Sequence, residues 1–436
     1  MNSSSYMMGA LAGLVLASLA GLPGFAATTA IVGATVHTSG PAGTLKNATV
    51  VIKDDKIVAV GTGLAAPQGA GVIDGTGLVV TPGLIDSYSV AGLVEISLES
   101  DTVDFKLKDN KLGAGFQVFY GFNPESTLIP VTRIEGITRS VIAPQIGENL
   151  FAGQGALVHL GDGGNIVRPS LAVFAGVGLS GGAVTGGSRA AALGQLVRAL
   201  GEARYYDAHR AAYDKGATRD FLYGRADLEA LVPVIKGKKP LAVIANRSSD
   251  IRHLLKIAAD TGVHLVIVGG DEAWELADDI AAAGVPVIIN PTDDLPVSYD
   301  GLFARLDNAA RLQAAGVTIA FGSEVNGESP DLGTHNARLL SQVAGIAVAN
   351  GLPWDAALAA LTSNPARIWG VADEVGTIAP GQQADVVVWT GDPFELSTRP
   401  THVFIRGEDI PLVSRQTKLR DRYLHLKNHK MPFAYR

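Results

Sequence analysis

Apolar and polar positions change rhythm twice along the chain. Near the start, the short β-rich runs 31–37, 48–53 and 56–60 are separated by Gly, Pro, Asn and an Asp-Asp pair. That spacing predicts a meander of antiparallel strands. The same texture returns at 384–389 and 402–407. Two β-rich ends around a different middle predict one discontinuous β domain built from both termini. In the middle the period lengthens. Residues 241–245 read as a buried strand, and 250–259 as an amphipathic helix with Ile251, Leu254, Leu255, Ile257 and Ala258 on one side. Strands at 263–268, 285–289 and 317–321 alternate with helices at 271–283 and 302–314. Strand–helix units of this kind imply parallel strands with right-handed crossovers, covered on both faces.

The expected fold is therefore α/β: a (β/α)8 TIM-like barrel over 81–374, plus a composite β-sandwich from 28–80 and 375–436. An open doubly wound sheet is the competing architecture. It usually carries a Gly-rich phosphate loop after its first strand. The segment Val80-Thr81-Pro82-Gly83-Leu84-Ile85-Asp86 has none, and the glycine cluster at 176–182 reads as a plain loop.

Composition narrows the chemistry. Lys+Arg 35 against Asp+Glu 42 gives a net charge of −7, which argues against nucleic acid as a partner. The chain has no cysteine, so disulfides, Cys-ligated zinc and a thiol nucleophile are excluded. Residues 7–22 are uncharged and largely apolar, and Pro23-Gly24-Phe25-Ala26-Ala27 follows with small residues. This pattern predicts a cleaved signal peptide over 1–27, and with it a periplasmic or secreted location.

The run Val80-Thr81-Pro82-Gly83-Leu84-Ile85-Asp86-Ser87 resembles the opening barrel strand of the amidohydrolase superfamily, in particular its imidazolonepropionase-like branch. Gly136-Ile137-Thr138 with Val141-Ile142-Ala143-Pro144, and Gly153-Gln154-Gly155-Ala156, resemble that family's second and third barrel units. Thr362-Ser363-Asn364-Pro365-Ala366 and Pro380-Gly381-Gln382-Gln383-Ala384-Asp385 resemble its two late signatures. The resemblance implies a barrel in which a divalent metal activates water against an amide or ester carbonyl.

It also implies where the ligands would stand. The two strand-1 histidines fall at Tyr88 and Val90. The strand-5 histidine falls at Ile244 and the strand-6 histidine at Gly269. The strand-8 aspartate falls at Glu324. Four ligand positions are thus substituted and the fifth is altered. Among the other histidines, His335 follows strand 8 and is the one placed to reach the mouth, where Asp86, Asn246, Arg247 and Gln154 are also expected. The reading that follows is an exported, non-catalytic family member, a pseudoenzyme without cofactor. It binds a small molecule, or pairs as a homodimer or as a heterodimer with an active relative. Tyr88, Asn246, Arg247 and His335 are its candidate binding residues. The alternative is a hydrolase of carbon–nitrogen bonds, of the cyclic amide or N-acyl amino acid type, with a rearranged site. There Glu324 would be catalytic: with His335 and Asp86 it would hold zinc or another divalent metal, or it would act as a metal-free base.

Overall fold

The computed structural model describes residues 28–109, 111–163, 165–296, 298–325 and 336–424. The expected signal segment, His335, Asn326, and the last histidines His425 and His429 lie outside the described residues. Five strands come first: β1 (Thr28–His37), β2 (Thr44–Lys53), β3 (Lys56–Thr62), β4 (Gly71–Asp74) and β5 (Val79–Pro82). Eight more follow: β6 (Leu84–Ser89), β7 (Ile137–Ile142), β8 (Phe151–His159), β9 (Ile166–Gly176), β10 (Leu241–Ala245), β11 (Leu265–Gly269), β12 (Val287–Ile289) and β13 (Ile319–Phe321). The last three are β14 (Val386–Trp389), β15 (Pro400–Ile405) and β16 (Glu408–Asp409).

They form two sheets. One runs β16-β15-β14-β5-β1-β2-β3, with β4 on β1. The ends of the chain therefore share a sheet, joined where β14 lies antiparallel to β5. Trp389 Nε1 donates to Thr81 Oγ1 across that join at 2.9 Å. The β1-β2-β3 meander is antiparallel as expected, whereas β4 and β5 run parallel to β1.

The other sheet runs β6 through β13 in order and curls into a nearly closed barrel. One strand departs from the expected pattern. β8 is antiparallel to both β7 and β9. Chain length dictates this: the connections at 143–150 and 160–165 are shorter than the dozen or so residues a parallel crossover needs. The second and third units are hairpin arms rather than strand–helix repeats. Two predicted helices also shrink. The 271–283 segment becomes a 3-10 turn at Ala273–Leu276 followed by Ala277–Ala282, and the 302–314 segment keeps only Asn308–Ala314.

The glycine cluster is not a loop. Gly178–Val184 is a short α-helix. Gly181 explains it, because a Cβ there would lie 2.2 Å from the Gly176 carbonyl oxygen. Glycine is used for close backbone approach rather than for flexibility.

Alternate residues of the barrel strands feed two cores. Ile85, Val141, Phe174, Ala242, Val268 and Ala320 fill the barrel. Their neighbours Leu84, Val173, Val243, Ile267 and Val287 pack outward under the helices. A buried ion pair binds the barrel to the first sheet: Arg139 Nε on β7 donates to Asp385 Oδ2 at 2.6 Å. Asp385 Oδ1 also accepts from the Arg406 amide.

Candidate functional site at the barrel mouth

The C-terminal ends of the strands surround a cavity of about 240 Å³. Tyr88 reaches it from β6, Val177 follows β9, and Ile244, Ala245 and Asn246 close β10. Val325 comes from beyond β13, and Gln145, Ser180 and Asp300 complete the polar part. Functional groups of a barrel belong at this end, because its loops vary while the strands hold the fold.

Tyr88 is 1% exposed, and its ring packs against Phe174 with centroids 5.8 Å apart. Among the described residues its hydroxyl reaches only the Pro144 carbonyl, at 3.4 Å. Gly322 makes room for it, since a Cβ there would lie 2.8 Å from Tyr88 Cβ. Val90 is turned away and packs with Leu84 and Leu93 in the outer core.

At Gly269 the backbone takes φ +97°, and a Cβ would lie 1.9 Å from Asn246 Oδ1. Asn246 thus occupies the direction in which a residue at 269 would project. Its Oδ1 is buried with no hydrogen-bond partner among the described residues, as is Nε2 of Gln145.

Glu324 and Asp86 form the electrostatic centre. Asp86 is fully buried and accepts from the Ser323 amide at 3.0 Å, Ser323 Oγ at 2.5 Å and the Tyr88 amide at 3.3 Å. Burial pushes its carboxyl up to about 6, against the pull of those hydrogen bonds. Glu324 is pushed further, to about 8, first by burial and then by the charge of Asp86. Both carboxyls are thus held toward the protonated form, Glu324 more strongly than Asp86. These contacts also close the barrel. No ladder pair joins β6 to β13 among the described residues; the Asp86–Ser323 bonds and the Glu324 amide on the Tyr88 carbonyl, at 3.0 Å, span the seam instead.

Other expected mouth residues go elsewhere. Arg247 is exposed ahead of the helix Ser248–Thr261, and among the described residues no ion pair joins it to Glu324. Gln154 accepts from Lys239, on the segment entering β10, away from the mouth. Sequence reasoning missed Gln145, Ser180 and Asp300. Asp300 accepts from Arg189 Nε at 3.0 Å and from the Leu179 amide at 2.5 Å, so it anchors the glycine-rich helix. No motif marks these three residues; only the strand order brings them together.

A sequence profile described as the amidohydrolase family matches residues 202–410. The crystal structure of an amidohydrolase from Thermotoga maritima MSB8 superposes with TM-score 0.78 at 25% identity, covering 88% of this chain and 99% of that one. Both the matched profile and the fold are those seen in the amidohydrolase superfamily. Imidazolonepropionase of Rhizorhabdus wittichii is 32% identical over 157 residues, 34% of this chain and 35% of that protein. Amidohydrolase tasK of Hapsidospora irregularis is 44% identical over 57 residues, 13% of this chain. The matched segments span only 6% to 35% of these curated relatives.

Among the described residues, this barrel offers a poor donor set for a metal. The expected ligand positions present a phenol committed to the core, two hydrocarbons, a glycine with Asn246 across its Cβ direction and one buried carboxyl. A catalytic zinc wants about three protein ligands of N, O or S type around an open position. Among the described residues, no group of three His, Cys, Asp or Glu converges to hold one.

Proposed function

We propose that this chain is an exported, non-catalytic amidohydrolase whose mouth cavity holds a small neutral molecule, in a homodimer or beside an active relative. The observation that carries the reading is Asn246 Oδ1 in the space a ligand at 269 would need. The position is rebuilt, not merely stripped. Apolar walls from Ile146, Val177, Val184, Ile244 and Val325 support a compact, largely apolar ligand. The uncharged run at 7–22 supports export.

The test is metal content of the chain from residue 28, purified without chelator and after incubation with zinc or manganese. The expected result is well under one ion per folded chain. One tightly held ion, lost in Glu324→Ala, would overturn the proposal. Cell fractionation tests the other half: a new N-terminus near residue 28 in the periplasm or medium is expected, and an intact cytoplasmic chain would refute export.

A second reading rests on the Asp86–Glu324 pair. Two carboxyl groups pushed to different values are a common acid–base arrangement, and the relatives named above are hydrolases. In this reading water adds to the carbonyl carbon of a cyclic amide and gives a proton to Asp86, while Glu324 gives its proton to the nitrogen that leaves as the C–N bond breaks. Turnover of imidazolonepropionate above a Glu324→Gln control would establish it; equal background rates would remove it.

A further inference from the structure

The larger cavity lies at the opposite end of the barrel. It has a volume of about 480 Å³ and opens where β10, β11, β12 and β13 begin. Val263, Leu265 and Val285 form its floor, and Leu255 and Ala258 of the helix Ser248–Thr261 form a wall. Small residues keep it open: Ala259, Ala283 and Gly284 are exposed where larger side chains would cover the strand ends. This end of a barrel ordinarily serves stability, so an open apolar cleft here has no part in chemistry at the mouth.

Its charge is one-sided. Arg367, from the helix Ser363–Ile368, and His264 reach the lining, and no Asp or Glu does. Arg367 is exposed, and among the described residues its guanidinium has neither an ion pair nor a hydrogen bond. A guanidinium stays charged at any working pH and matches a carboxylate with two parallel hydrogen bonds. The remainder of the lining is mainly hydrocarbon.

We propose that this cleft binds a medium-chain fatty carboxylate, with its head on Arg367 and its tail against Leu255, Ala258 and Val263. The inference stands apart from the reading of the mouth. Titration calorimetry on the chain from residue 28 tests it with decanoate, kept below its micellar concentration, and with decanol as the uncharged partner. One decanoate per chain is expected. Arg367→Gln should weaken decanoate roughly tenfold or more and leave decanol unchanged. Ala258→Phe, which fills the cleft, should abolish both while preserving the thermal melt.

Absence of decanoate binding to the folded chain would overturn the proposal. So would binding that neither substitution alters, which marks non-specific adsorption. Anionic phospholipid vesicles present the same chemistry from a membrane. Capture by such vesicles, lost in Arg367→Gln and without any decanoate binding, would assign the cleft to lipid headgroups and also overturn it.

Discussion

The two ends of this barrel differ in how they treat side chains. At the mouth, every expected ligand position is changed: Tyr88 is in the core, Val90 outside it, Ile244 is an apolar cavity wall, Asn246 lies over Gly269 and Glu324 stands beside Asp86. At the other end a larger volume is left open, walled by small and apolar residues with one guanidinium that is unpaired among the described residues. A fold does not fix where binding happens; the residues grafted on its ends do. Here the end that usually carries chemistry keeps a small cavity without its expected donors, and the end that usually carries stability has the larger opening.

Substitutions can break or sharpen this contrast. The largest effect is expected from Gly269→His. A side chain there is strained at φ +97° and must push the Asn246 amide aside, and strain plus crowding should cost about 3–6 kcal/mol. Urea denaturation measures it. A protein that kept its stability and gained metal would reverse our account of the mouth.

Tyr88→Ala should cost about 3–5 kcal/mol, as a large buried side chain leaves a cavity. Tyr88→Phe should cost less than about 1 kcal/mol, because the hydroxyl makes one long hydrogen bond. A large loss in the phenylalanine variant would reveal a polar role for Tyr88.

The pH dependence comes next. Both Asp86 and Glu324 have folded values above their unfolded ones, so the folded state binds more protons. Their contribution is intact below about pH 4 and is lost as pH rises through about 6 for Asp86 and about 8 for Glu324. The melting temperature should fall by roughly 5 °C between pH 5 and 8. Glu324→Gln should remove most of that slope, and a slope that survives the substitution would point to other groups.

The smallest effect is expected at the open end. Ala283→Leu touches an exposed position and should change stability by at most about 0.5 kcal/mol. A larger loss there would show that the open end is packed after all.

Much of the architecture was legible from periodicity. The βα units from β10 onward and the shared terminal sheet follow from apolar runs that fix strand faces. The antiparallel β8 was legible only through the lengths of its two connections. The Gly178–Val184 helix was hidden because glycine density usually signals a turn, while here it serves contact with Gly176. At the site, the loss of donors at Tyr88, Val90, Ile244 and Gly269 could be read position by position. What replaced them could not. A positive φ at Gly269, the reach of Asn246 and the clamp of Asp86 on Ser323 arise from distant segments meeting. Gln145 and Asp300 enter the cavity for the same reason.

The shared terminal sheet has a consequence for the order of assembly during synthesis. β5 meets its partner β14 only after roughly 300 further residues have left the ribosome. Until then one side of β5 is a free edge of main-chain donors and acceptors, the kind of surface that recruits other chains. A nascent chain halted before β14, or a product clipped ahead of residue 386, should therefore be sticky where the finished protein is not.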